Sequence, residues 1–191
     1  MNTPLKHVCI ISNYYPPEMG AAANRIQVLA ESLLARGMKV TVLCPIPNYP
    51  FGELFKDYPA KGPYPETING VQTIRLTTYA TKSTKPWLRF KAMATFGRSV
   101  ASQLKKEHNY SAVIIQCSPL LVGFRSLKTA KKLGLTSIVN ISDLWPLAAI
   151  AFLIAAYSSP AIAFVMERLV DDLQWETGPA RFLLMVFSGL G

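Results

Sequence analysis

Apolar and polar positions along this chain follow two periods, and the change from one to the other marks out its elements. Five short runs are dense in β-branched and apolar residues and are bounded by turn formers: HVCIIS from His7, KVTVLC from Lys39, VQTIRL from Val71, AVIIQC from Ala112 and TSIVNI from Thr136. Runs of that length and composition read as strands. Between them the period lengthens to that of a helix. Ile26, Leu29, Ala30, Leu33 and Leu34 stand at i, i+3, i+4, i+7 and i+8, and Gly37 can end that helix. A second helical stretch runs from Leu120 to Leu133, with Lys128, Lys131 and Lys132 in its last turns and Gly134 as its C-cap. Strands alternating with helices predict an α/β fold, a Rossmann-like parallel sheet flanked by helices on both faces.

Three segments stand outside that repeat. Pro45 to Gly70 is rich in Pro, Tyr and Gly and reads as one long loop, a kind that is usually functional or mobile. Lys82 to His108 holds seven basic residues against one acidic, with Trp87, Leu88 and Phe90 at its entrance. It reads either as a helix resting in a membrane interface or as one packed on the sheet with a solvated basic side. Leu144 to Met166 has 23 residues without a charge, enough to span a bilayer as a helix. Pro146, Ser158, Ser159 and Pro160 interrupt it, which suits a pair of buried or membrane-resting helices better.

Composition narrows the partners. The chain has 191 residues, 50% apolar and 16% charged, so it suits one substantial globular domain. Its net charge of +9 attracts anions such as nucleotide phosphates, acidic lipids, lipid diphosphates or nucleic acid. Neither an aromatic-interleaved basic motif nor a helix-turn-helix pattern is present, so nucleic acid is not expected as a partner. Cys9, Cys44 and Cys117 each fall within a strand-like run and lack metal-ligand spacing, which predicts buried thiols and neither zinc nor disulfides. No secretory leader is expected, which places the chain in the cytoplasm.

Ligands of open α/β sheets bind beyond the carboxyl ends of the strands, near a switch in strand order. Three predicted loops emerge there. NYYPPEMGAAANR, from Asn13, places Gly20 just before a helix, either as a tight turn or where backbone amides can meet a phosphate. The spacing GxGxxG is absent, which disfavours a nicotinamide cofactor. CSPLLVG, from Cys117, offers Ser118 as a helix cap or as a ligand contact. NISDLWP, from Asn140, offers Asp143 as a cap or as the acceptor of a hydroxyl proton, and Trp145 as core or as a stacking wall. His7 and His108 are isolated, and neither is assigned a catalytic role.

With these loops in order, the chain resembles the N-terminal half of family-4 glycosyltransferases, which have the GT-B fold of two facing Rossmann-like domains. Within them it resembles the colanic-acid and O-antigen type of bacterial polysaccharide transferases. The resemblance rests on YYPPEMGAAANR, LAESLLARGMKVTVLCPIPNYPFG, NGVQTIRL, SPLLVG and SDLWP, and it covers residues 5 to 146. It implies transfer of a sugar from a nucleotide-diphosphate donor to a hydroxyl with retained configuration, with no metal or cofactor. The implied acceptor is a lipid-linked saccharide, for example one on undecaprenyl diphosphate.

The same resemblance implies site roles. Gly20 and Ala21 would meet the donor diphosphate, and Asp143 would be the catalytic candidate. Tyr15, Glu18, Arg25, Asn48, Tyr49, Ser118 and Trp145 would form the acceptor side. Lys82, Lys85, Trp87, Arg89, Phe90 and Lys91 would rest on the anionic inner face of the cell membrane. The family often has Gly-His where this chain has Gly37-Met38, and an acidic then a basic residue where it has Asn140 and Ser142.

The expected layout is a Rossmann-like domain over residues 1–146 and an apolar helical tail over 147–191. Paired glutamates in an E-x7-E arrangement are missing, since Glu167 and Glu176 are nine apart. The donor-binding domain is therefore expected to be absent and this chain to be inactive alone. The alternative expectation is a non-catalytic, membrane-associated binding subunit or a truncated remnant.

Overall fold

The computed structural model describes residues 6–117 and 119–141. The chain opens with strand β1, His7–Ile11, at the centre of a six-stranded sheet. Helix α1, Ala21–Ala35, leads to β2, Lys39–Pro45. A hairpin of β3, Tyr64–Ile68, and β4, Val71–Leu76, follows. Helix α2, Pro86–Lys106, then crosses to β5, Ala112–Gln116, and helix α3, Leu120–Lys132, leads to β6, Ser137–Asn140. The strand order is β3-β4-β2-β1-β5-β6, and every pairing except β3 with β4 is parallel. The chain builds outward from β1 on one side, then returns through α2 to build on the other. β1 and β5 therefore border the switch in strand order where such sheets hold ligands.

Period-two alternation divides the core between the two faces. Val8 and Ile10 of β1 join Val40, Val42 and Cys44 of β2 against Ile26 and Ala30 of α1. Cys9 and Ile11, one register step away, join Leu43, Val113 and Ile115 against Phe96, Val100 and Leu104 of α2. Buried on both faces, these strands can be apolar throughout, which is why they read as continuous runs. Cys9 and Cys44 are buried thiols, whereas Cys117, just after β5, is only half-buried, and burial pushes Cys44 up to about 12.

The helix boundaries match the periodicity. α1 ends at Arg36, and Gly37 takes a φ of 80° that glycine adopts without steric cost. The sequence expectation for Pro45 to Gly70 needs correction, because Tyr64–Ile68 is a strand. Asn69 and Gly70, at φ 49° and 81°, form the two-residue hairpin turn that joins it antiparallel to β4. β3 is a solvated edge carrying Pro65, so it lacks the apolar density that marks the other strands.

Among the described residues no helix is long and apolar enough to cross a membrane. The apolar run Leu144–Met166, the tail 147–191 and the boundary at residue 146 lie outside the described residues.

Candidate functional site

A cleft of about 770 Å³ opens at the carboxyl edge of the sheet. Four crossing connections end there. Asn13, Tyr14 and Glu18 come from the loop after β1, and Asn48, Tyr49 and Gly52 from the loop after β2. Thr78, Tyr79, Thr81 and Lys82 follow β4, Arg89 and Met93 lie on α2, and Pro119 follows β5. A parallel sheet directs all these loops to one edge, so residues far apart in sequence become neighbours.

The loop after β1 is held from three directions. Its start is fixed by Ser12, whose Oγ donates to the Tyr14 carbonyl at 2.8 Å and accepts from the Tyr14 amide at 3.2 Å. Tyr15-Pro16-Pro17-Glu18 closes as a turn, with the Glu18 amide donating to the Tyr15 carbonyl at 3.2 Å. The Glu18 carboxylate then joins this loop to the next. Its Oε1 accepts from the backbone amides of Asn48 at 2.8 Å and Tyr49 at 2.9 Å. Glu18 is only 2% exposed, and its Oε2 has no hydrogen-bond partner among the described residues. Burial raises the Glu18 pKa above the ordinary carboxylate value, and the amides of Asn48 and Tyr49 oppose the rise.

Arg75 of β4 holds the loop from beneath. It is fully buried, pairs with Glu66 of β3 through Nε at 2.5 Å, donates to Cys44 Sγ at 3.1 Å, and donates from the other guanidinium nitrogen to the Pro16 carbonyl. Its guanidinium carbon also lies 6.0 Å from the Tyr15 ring centroid and 5.5 Å from that of Tyr58. One planar cation thus ties β3, β2 and the Tyr15-Pro16 segment together, a role that a point charge could not fill.

Tyr14 and Tyr49 meet edge to face at 5.4 Å, one from each loop, and form an aromatic corner in the cleft. Burial pushes the Tyr14 phenol above its ordinary range. The bond to Asn13 pulls it down, Glu18 and Tyr49 add to the rise, and the Arg89 guanidinium lowers it. Tyr14 thus feels charged groups on both walls.

The sequence-derived residues fall into separate places. Glu18, Asn48, Tyr49, Lys82 and Arg89 converge on the cleft. Tyr15 is not among the residues that line it, and its side chain is fully buried in the core. Arg25 is exposed on α1 and is not among the residues that line the cleft. Gly20, at φ 138°, is exposed at the N-terminus of α1, with Ala21 after it, and no side chain caps the helix. Trp87 and Phe90 are 62% and 57% exposed, while Lys85 and Lys91 are also on the surface. Ser118, Asp143 and Trp145 lie outside the described residues. Among the described residues no three His, Cys, Asp or Glu side chains gather to hold a metal.

Two contributors are absent from the sequence-derived set. Thr78, Tyr79, Thr81, Ser83 and Thr84, around the sequence-derived Lys82, supply a whole wall, and their position just after a strand was the available signal. Arg75 was the other, marked by a lone cation in an apolar strand run.

Residues 20–173 match the family described as Glycosyl transferase 4-like domain. No curated protein sequence matches the chain. Among solved structures, sucrose-phosphate synthase from Thermosynechococcus elongatus is similar with a TM-score of 0.51 at 15% identity, covering 86% of this chain and 40% of that one. The C-terminal domain of a hydrogenase from Pyrococcus furiosus gives a TM-score of 0.49 at 14% identity, covering 73% of this chain and 97% of that domain. At 15% identity the likeness to the synthase is one of fold, the Rossmann-like half of a GT-B architecture.

Proposed function

The chain belongs to the glycosyl transferase 4-like family, a glycosyltransferase domain by that membership, and we propose that it is the acceptor-holding half of a retaining enzyme. In this reading it works with a donor-binding domain, and a sugar passes from a nucleotide diphosphate to a lipid-linked or saccharide acceptor in bacterial surface polysaccharide synthesis. The observation that carries the reading is the cleft corner made by Tyr14, Tyr49 and Glu18. The aromatic faces suit the apolar face of a sugar ring. The free Oε2 of Glu18, buried and unpartnered among the described residues, suits a sugar hydroxyl as donor.

The chemistry asks little of side chains in this half. Gly20 opens α1 without a side-chain cap, so the amides of its first turn and the positive end of the helix dipole can face a diphosphate. Rate then comes from holding acceptor and donor together and from stabilising charge on the leaving diphosphate. Asp143 is the candidate for receiving the acceptor proton. Trp87 and Phe90, with Lys85 beside them, are suited to rest on an anionic membrane surface where a lipid-linked acceptor resides.

Mixing this chain with a separately expressed donor-binding domain of the same family, nucleotide sugar and membrane lipid extract tests the reading. Transfer of labelled sugar to the lipid fraction is the expected result, and its loss in a Glu18→Ala, Tyr49→Ala double variant ties it to the cleft. Absence of transfer with every pairing, while the chain still binds vesicles, would establish the non-catalytic binding subunit instead.

A further inference from the structure

The loop after β2 is tied to the loop after β1 a second time, by a route that lies outside the cleft. Asn48 and Tyr49 are held by the Glu18 carboxylate, and the Gly52 amide donates back to the Asn48 carbonyl at 2.7 Å. Beyond this turn the Phe55 amide donates to the Pro47 carbonyl at 3.0 Å, and the Tyr58 amide to the Phe55 carbonyl at 3.1 Å. The Tyr58 hydroxyl then donates to Glu66 Oε2 on β3 at 3.2 Å, and Glu66 Oε1 accepts Arg75 Nε at 2.5 Å. Arg75 donates to the Pro16 carbonyl, inside the turn that the Glu18 amide closes on Tyr15. The contacts have returned to Glu18. They form a closed ring.

The members outside the cleft orient one another. Arg75 is fully buried, and its N–H groups form a rigid planar fork. The direction of Nε toward Glu66 therefore fixes where the other two nitrogens point, toward Cys44 and Pro16. Glu66 is fixed in turn, because Tyr58 takes one carboxylate oxygen and Arg75 the other. No other carboxylate among the described residues pairs with Arg75. The Tyr58 ring stands 5.5 Å from the guanidinium carbon and 6.0 Å from the Tyr64 ring. None of Tyr58, Glu66 and Arg75 lines the cleft.

We infer that Tyr58 and Glu66 are positioning residues for the corner made by Tyr14, Glu18 and Tyr49, acting through Arg75 and the Tyr15–Glu18 turn. The acceptor reading enters only in what that corner binds. A recognition corner holds its geometry when the groups behind it are themselves held by hydrogen bonds. A turn of the guanidinium shifts the Pro16 carbonyl, and with it the carboxylate that fixes the Asn48 and Tyr49 amides. The edge-to-face meeting of Tyr14 and Tyr49 at 5.4 Å then depends on a phenol that never touches the ligand.

Amide hydrogen exchange on the whole chain, read by NMR, tests the relay. Tyr58→Phe removes only the hydroxyl. It should speed exchange at Glu18, Asn48 and Tyr49 about threefold to tenfold more than at Ser111, the scale of one hydrogen bond. The Ser111 amide donates to the His7 carbonyl at the opposite edge of the sheet, so it reports any general loss of stability. Glu66→Ala should have a larger effect, and Glu66→Gln, which returns an oxygen to Arg75, should recover most of it. Faster exchange confined to Tyr58 and Gly62 would make Tyr58 a fastener of its own segment and overturn the proposal. A uniform rise that includes Ser111 would overturn it as well.

Calorimetry with the methyl glycosides of glucose, galactose, mannose and N-acetylglucosamine separates the relay from the acceptor reading. The best-bound one should lose about threefold to tenfold in affinity in Tyr58→Phe. Affinity unchanged in that variant would refute the positioning role. If exchange at Asn48 and Tyr49 responds as expected and no glycoside binds the native chain, the relay stands and the acceptor reading falls.

Discussion

Glu18 Oε1 accepts the backbone amide of Asn48 at 2.8 Å, across a separation of 30 residues. This bond joins the connection after β1 to the connection after β2, and the Tyr49 amide doubles it on the same oxygen. A carboxylate spent on two amides with one oxygen leaves the other oxygen for a ligand. Glu18 is therefore a brace of the cleft and, in the proposed acceptor reading, part of its recognition surface.

Replacing Glu18 should separate those roles. Glu18→Ala removes both bonds and should cost about 2–4 kcal/mol in urea unfolding, because two amides lose a buried partner. Glu18→Gln keeps an acceptor for the amides and should stay within about 1 kcal/mol of the native chain at neutral pH.

The same residue predicts a pH dependence. Its folded pKa lies above the unfolded one, so its contribution to stability is fully present below the unfolded value and is lost as pH rises through the folded value. The native chain should therefore lose stability relative to Glu18→Gln as pH rises from about 4 toward 7. Parallel pH profiles for the two proteins would refute this.

Arg75 should prove the most sensitive position outside the cleft. Arg75→Met leaves Glu66 and the Pro16 carbonyl without their partner, at an expected cost of about 3 kcal/mol or more. Arg75→Lys should recover little of it, since an ammonium cannot reach Glu66, Cys44 and Pro16 together. Denaturant unfolding with circular dichroism as the probe decides both.

Gly52 sits at φ 72° with the backbone of Thr81 and Lys82 against it. Gly52→Ala should destabilise by about 2 kcal/mol, from the left-handed backbone and the clash together. Gly20→Ala provides the comparison, because no atom lies within 4 Å of a Cβ there and only the backbone cost of about 1 kcal/mol remains. Thermal melts that rank the two variants the other way would contradict the close packing of the two loops.

Tyr49 is 46% exposed, so Tyr49→Ala should shift the melting midpoint only slightly. Across methyl glycosides of glucose, galactose, mannose and N-acetylglucosamine, the best-bound one should lose about threefold to tenfold in affinity, the scale of one aromatic contact. Unchanged affinity for all four would remove Tyr49 from the acceptor surface.

How far the fold was legible follows from which signals are local. The five apolar runs and both helix faces depend on period, and period is set by the geometry of each element alone. β3 escaped because an edge strand facing water carries no apolar alternation, though Asn69-Gly70 was a readable hairpin signal. In the site, Glu18, Asn48 and Tyr49 were legible as polar and aromatic residues in loops after strands. Tyr15, next to them in the same motif, went to the core, because neighbouring residues in an extended segment point opposite ways.

What the sequence by itself determined is the set of elements, the alternation that buries β1 and β2 on both faces, and the family to which the loops conform. Tertiary structure alone decided which loops meet. A parallel sheet with its strand order reversed beside β1 sends the connections after β1, β2, β4 and β5 to one edge. That convergence brought Lys82 and Arg89 into the cleft, although in sequence they belong to a basic run that also includes Lys85 and Lys91. The physical reason is that facing depends on crossover direction and on loops braced at close range, as at Gly52 and Lys82, and neither is encoded within a few residues of the side chain concerned.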